Sequence, residues 1–120
     1  MSHPSILVVD DDPSIRRIVS EILAMEEYEV ATAPNGAEAL LAVEHDRPTL
    51  VLLDMRMPVL DGWGFVEALK ERNIVVPILV MTAAQDTARW AAEVGAAGHL
   101  AKPFDMSELL AAVERLCGAI

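Results

Sequence analysis

Four consecutive aliphatic residues, Leu50-Val51-Leu52-Leu53, run directly into a single carboxylate, Asp54, and then into a loop stopped by Pro58. A wholly apolar run too short for an ordinary helix describes a strand buried on both faces of a parallel sheet, because helices cover both of its sides. Asp54 then stands at the carboxyl end of a central strand. In open α/β sheets ligands bind along that edge, in crevices where neighbouring strands send their connections in opposite directions. Asp54 is therefore the first candidate for a reactive group, and the rest of the chain can be read for what it delivers beside it.

Two further runs are equally apolar: Ile6-Leu7-Val8-Val9, which ends in Asp10-Asp11-Asp12, and Ile78-Leu79-Val80-Met81, which delivers Thr82. Glu29-Val30-Ala31-Thr32 alternates and Gly98-His99-Leu100-Ala101 is mixed, so both belong at sheet edges; the second delivers Lys102-Pro103. Helical spacing follows each run. Asp12 before Pro13 suits a cap with proline at the first helical position, and Ile15, Ile18, Val19, Ile22 and Leu23 recur to about Glu26. Asn35 with Glu38 resembles a capping box, and Ala37, Leu40, Leu41 and Glu44 give the second helix one mostly apolar face before Pro48. Asp61-Gly62 reads as a loop turn, because Phe65, Val66 and Leu69 then mark a third helix ending near Asn73. Gln85 to Val94 is alanine-rich and helical up to Gly95, where a left-handed residue costs least. Asp105 caps a last helix with Met106, Leu109, Leu110, Val113, Leu116 and Cys117 inward. Five strand-then-helix units predict an α/β fold, a doubly wound (βα)5 three-layer sandwich with parallel strands in the order 2-1-3-4-5.

The 120 residues fit one domain, 1–120, and 53% hydrophobic against 23% charged residues exclude a disordered tail. The longest apolar stretch, Ile74 to Ala84, is broken by Pro77 and too short to span a bilayer. Met1-Ser2-His3-Pro4 lacks a basic region followed by an apolar segment, and Cys117 has no partner, so the expected location is the cytoplasm. His3 and His45 read as surface residues, and no His/Cys spacing suggests zinc. A formal charge of −10 without a Lys/Arg run argues against direct nucleic-acid binding and for divalent cations or basic partner surfaces.

In the predicted order Asp10, Asp11, Asp12, Asp54, Thr82 and Lys102 converge at one edge. Each has a bland reading: caps and solvated loop acids, a strand-end hydroxyl, a surface charge. Together they weigh differently. Carboxylates about 4 Å apart repel by roughly 4 kcal/mol at an effective dielectric of about 20, so the cluster calls for a cation. Mg²⁺ prefers one or two carboxylates, retained waters and a phosphate oxygen, and Asp11 and Asp54 can supply the protein's share.

The pieces Val8-Val9-Asp10-Asp11, Leu53-Asp54-Met55-Arg56-Met57-Pro58 with Asp61-Gly62, Met81-Thr82-Ala83 and Lys102-Pro103-Phe104 stand in an order that resembles the response-regulator receiver domain, CheY-like, of two-component signalling. The resemblance covers essentially the whole chain. It implies that Asp54 is the phosphorylated residue, Asp11 a direct Mg²⁺ ligand, Asp10 a ligand through water, and the Arg56 backbone carbonyl a further one. Thr82 and Lys102 would bind phosphoryl oxygens, and the Lys102-Pro103 peptide would be cis. The implied donor is a phosphohistidine on a histidine kinase or phosphotransfer protein, for which small phosphodonors can substitute. The chain would then be a phosphoacceptor signalling protein rather than an enzyme acting on outside substrates. With no linker or DNA-binding segment after the last helix, its expected output is binding to a downstream target protein. Thr82 and His99 would form the switch, His99 standing where the family usually has Tyr or Phe. A half-exposed edge residue is the alternative for His99. From Thr82 to His99 the chain is about two residues shorter than the family pattern. Arg56 and Ala84 occupy positions that influence the lifetime of the acyl phosphate.

The switch would act through the face made by the fourth helix, fifth strand and fifth helix. Ala88, Ala91 and Ala92 bury little there, and Trp90 is either docking surface or plain core. Other classes fit less well. A haloacid-dehalogenase-type phosphatase should carry a second Asp where Arg56 stands, and a flavodoxin-like cofactor binder should replace Asp10-Asp11-Asp12 with Ser, Thr and Gly. A pseudo-receiver acting only as a protein-binding module is countered by Asp54, Thr82 and Lys102 occurring together.

Overall fold

Successive side chains of a strand point to opposite faces, and in the central strands of this chain both sets are apolar, so the sheet has to be covered twice. The computed structural model describes residues 4–83 and 85–117. Its elements alternate without exception: β1 (Ser5–Val9), α1 (Pro13–Met25), β2 (Glu29–Ala33), α2 (Gly36–His45), β3 (Leu50–Asp54), α3 (Gly62–Glu71), β4 (Ile78–Ala83), α4 (Thr87–Val94), β5 (Gly98–Lys102) and α5 (Met106–Leu116). The strands form one sheet in the order β2-β1-β3-β4-β5, every pairing parallel. The edge placement of the alternating strand and the mixed one is as their polarity predicts.

Two cores result. Ile6, Val8, Leu50, Leu52, Leu79 and Met81 face α1 and α5, meeting Val19, Leu23, Leu109 and Val113. Leu7, Val9, Val51, Leu53, Ile78 and Val80 face α2, α3 and α4, meeting Ala39, Val43, Phe65, Leu69 and Trp90. Every residue of β3 is buried, and each fully covered leucine there contributes about 1.5–3 kcal/mol. Among the described residues no helix is long and apolar enough to cross a membrane.

The caps fall where short polar side chains precede the helices. Asp12, Asn35 and Asp61 accept from the backbone N–H of Ser14, Glu38 and Gly64 at 2.8–2.9 Å, and Pro13 opens α1. The reciprocal capping box expected at Asn35 and Glu38 is instead complete at Asp105 and Glu108. Gly95 ends α4 at φ +68°, as its lack of a Cβ allows.

Two expectations about helix faces are corrected. The inward face of α2 is Gly36, Ala39 and Val43, with Leu40 at its margin, whereas Leu41 is 67% exposed. The reason is a close approach: the Gly36 N–H donates to the Leu60 carbonyl at 2.8 Å, and a Cβ at residue 36 would lie 2.4 Å from that oxygen. This contact sets the rotation of the helix. In α5 Met106 is exposed, and the inward face is Leu109, Ala112 and Val113, which recur at helical spacing one turn further on. Of the two readings left open for Trp90 in α4, it takes the core one, buried with Thr87, Ala91 and Val94. At eight residues α4 is the shortest of the five helices.

Val59 holds φ +71° although it is β-branched, and at 81% exposed it gains little packing in return. V59G should raise the thermal midpoint by about 3–5 °C, near 1 kcal/mol of relieved strain after the entropy of the added glycine. G36A should act in the opposite direction and cost about 1–3 kcal/mol, read by the same unfolding curves.

Candidate functional site

The parallel register places the carboxyl ends of β1, β3, β4 and β5 side by side, with Val9 beside Leu53, Asp54 beside Met81, and Ala83 beside Lys102. Asp10, Asp54, Thr82 and Lys102 are therefore presented from four strands to one crevice. Asp10 is fully buried. Its Oδ1 accepts from the Asp12 backbone N–H at 2.9 Å and its Oδ2 pairs with Lys102 Nζ at 2.6 Å. Lys102 Nζ also lies 3.7 Å from Asp54 Oδ2, so one ammonium serves two carboxylates. Arg16 Nη1 donates to the Asp10 carbonyl at 2.7 Å and fixes the turn that carries the acids. The Lys102-Pro103 peptide is cis.

One carboxylate oxygen from each of Asp10, Asp11 and Asp54 can be chosen so that all three lie within 4.8 Å of one another. Asp10 and Asp54 are buried, and Asp11 opens to solvent. Asp12 is not part of this group; its side chain caps α1, as expected from its position before Pro13. Burial raises the Asp54 carboxyl from its ordinary 3.8 to about 6; Lys102 opposes the rise, Asp10 adds to it, the Arg56 backbone amide opposes it and Asp11 adds to it. An all-oxygen donor set with excess negative charge suits a hard divalent cation of the size of Mg²⁺.

Thr82 is buried at the end of β4. His99 is exposed on β5, opposite Val80, two positions short of the residue that faces Thr82 and therefore on the same side of the sheet. Arg56 is exposed, with its guanidinium carbon 5.1 Å from the centre of the Trp90 ring. His45 is exposed, while His3 and Ala84 lie outside the described residues. A feature not foreseen is an open groove of about 590 Å³ leading to Asp54, Thr82 and Lys102, walled by Ile15, Ile18 and Ile22 of α1 and by Phe104 and Met106 beyond β5. Its signal lay in α1, which carries five spaced aliphatic residues, of which Val19 and Leu23 are buried while Ile18 is 47% exposed.

The profile of the family described as "Response regulator receiver domain" matches residues 6–114. This chain belongs to that family. The receiver is 41% identical over 118 residues to the transcriptional regulatory protein PrrA of Mycobacterium tuberculosis, an alignment covering 97% of this chain and 51% of PrrA. It is 39% identical over 117 residues to sporulation initiation phosphotransferase F of Bacillus subtilis, covering 96% of this chain and 94% of that protein. The structure of the chemotaxis response regulator CheY4 of Vibrio cholerae superposes with a TM-score of 0.88 at 36% identity, over 96% of this chain and 99% of that one. The chain spans about half the length of the first curated relatives it matches.

The raised Asp54 value makes stability depend on pH in a definite direction. The folded receiver binds this proton more tightly than the unfolded chain, so the group's contribution is full below about pH 3.8 and is lost as pH rises through about 6. D54N removes the cost of ionisation. At pH 8, without divalent cations, it should be more stable than the wild type by about 1–2 kcal/mol once solvent screening is allowed for. Denaturant unfolding at pH 8 and pH 4 should show the difference closing at the lower pH.

Proposed function

We propose that the receiver accepts a phosphoryl group onto Asp54 from a phosphohistidine donor, with Mg²⁺ bound by the acid cluster, and that the new charge alters binding to a target protein. The observation that supports this most is the Asp54 carboxylate at the end of the central strand, flanked by the Asp10 and Asp11 oxygens and by Lys102.

On this reading an Asp54 oxygen attacks phosphorus and the phosphorus–nitrogen bond to the donor histidine breaks. Phosphoryl transfer has a loose transition state, so positioning and charge neutralisation are most of what a protein must add. Bound Mg²⁺ would neutralise charge between the carboxylates and the phosphoryl oxygens. Asp11 and Asp54 would hold it directly, Asp10 through water, and the Arg56 carbonyl would complete the protein's share. Lys102 bridges Asp10 and Asp54 and stands where a phosphoryl oxygen on Asp54 would meet its ammonium. The aliphatic groove beside Asp54 offers the donor an apolar docking wall. The relative named a phosphotransferase is matched along nearly its whole length, which favours the same chemistry here.

For the output, the Thr82 hydroxyl would gain a charged partner on phosphorylation. Its movement would vacate space on the side of the sheet that His99 shares, changing the face made by α4, β5 and α5. The coupling is limited to the difference in interaction free energy between the two states.

Intact-mass measurement after adding a small phosphodonor should show one phosphoryl group in the presence of Mg²⁺, none in chelator and none in D54N. A mass increment that survives D54N would place the acceptor elsewhere. In a metal titration D11A should weaken Mg²⁺ binding by about tenfold or more, the scale on which even outer-shell partners act, while D12A should change it far less because Asp12 caps α1. Equal losses would contradict that division of labour.

A further inference from the structure

Two arginines flank the acid cluster, and neither is engaged by its carboxylates. Arg16 donates to the Asp10 main-chain carbonyl. Arg56 follows Asp54 by two residues, yet among the described residues its guanidinium makes no ion pair and lies instead over the Trp90 ring, 5.1 Å from the centroid. That ring is fixed from two helices. Trp90 is buried in α4, Trp63 of α3 meets it edge-on at 4.9 Å with 68° between planes, and the Trp63 indole N–H donates to Glu93 Oε1 at 3.0 Å, one turn beyond Trp90.

The position of that guanidinium matters because of where its backbone is. The Arg56 amide is close enough to Asp54 to favour the ionised carboxylate, so the side chain starts beside the cluster. Released from the ring, a flexible cation with five donors has an obvious alternative partner in the Asp11 and Asp54 oxygens, for which a fork-shaped group is well suited. It would then neutralise the charge that draws a divalent cation and occupy the oxygens that the cation needs. An aromatic face holds a weakly hydrated guanidinium without neutralising it, and so offers a resting place that uses no carboxylate.

We propose that Trp90 is a positioning residue for the cation site: by holding the Arg56 guanidinium on its face, it leaves the Asp10, Asp11 and Asp54 oxygens to a divalent cation. The inference rests on the reading of that cluster as the Mg²⁺ site. It gives the Trp63–Trp90–Glu93 assembly a function at Asp54 that lies outside the Thr82–His99 route.

The test is a double-mutant cycle on the full chain, with Mg²⁺ affinity measured by calorimetry at low ionic strength. W90L should weaken Mg²⁺ binding about three- to tenfold while Arg56 is present, the scale of one added unit charge near the site, and less than about twofold in an R56M background. The loss should shrink in high salt. W90F keeps an aromatic face and should recover most of the affinity. Equal losses from W90L in both backgrounds would reduce Trp90 to packing and overturn the proposal. Should W90L not fold, W90F carries the cycle with a smaller loss of the same sign. Independently, the Arg56 Nε–H resonance of the wild type should be shifted upfield by the indole ring, and the absence of that shift also overturns the proposal. Mg²⁺ binding without coupling between positions 56 and 90 defeats this inference alone; failure of the wild type to bind Mg²⁺ defeats the reading beneath it as well.

Discussion

One ammonium group shared between two buried carboxylates governs the upper edge of this sheet. Lys102 Nζ stands 2.6 Å from Asp10 and 3.7 Å from Asp54, and with Asp11 counted the crevice holds more negative than positive charge. The fold fixes Asp10, Asp54 and Lys102 in this arrangement, while Asp11 opens to solvent. Asp10 is fixed by the Asp12 amide and by the turn that Arg16 clamps; Asp54 is held by a strand buried along its full length; Lys102 extends from the end of an edge strand. The hydrophobic layers thus hold the acids together against their repulsion, and a bound divalent cation would relieve the imbalance.

The strand order and the acid cluster were legible in the sequence because both depend on unambiguous signals. Runs buried on two faces differ plainly from an alternating strand, and a register that pairs central strands brings their last residues to one level. Helix rotation was less legible. Leu41 is as apolar as Leu40, and hydrophobicity does not say which of them turns inward; the contact between Gly36 and the Leu60 carbonyl decides it, and that contact spans distant parts of the chain. Trp90 posed the same difficulty. Set among Ala88, Ala91 and Ala92 it could be read as docking surface or as core, and its partners are Trp63 and Arg56 from another helix and another loop. The groove along α1 was hidden because aliphatic residues in excess of the core's needs look like core until the packing is seen.

The shortest helix, the exposed His99 and the paired tryptophans all involve α4 or the strand after it. The edge that bears Asp10, Asp11, Asp54, Thr82 and Lys102, by comparison, carries the residue types that the resemblance names. Relatives at about this level of identity include proteins about twice its length and one of nearly the same length, so the matched region occurs in chains of different size.

The loop between β3 and α3 is pinned at two points: the Gly62 N–H donates to the Met55 carbonyl at 2.9 Å, and the Leu60 carbonyl is held by Gly36. Met55 is fully buried, directly behind Asp54. The start of α4 is tied differently: Asp86 gives no side-chain cap, and the Thr87 hydroxyl instead donates back to the Ala83 carbonyl at 3.0 Å. The segment that leaves β3 is therefore braced by main-chain bonds to distant parts of the chain, whereas the segment that leaves β4 is braced by a side chain only four residues away.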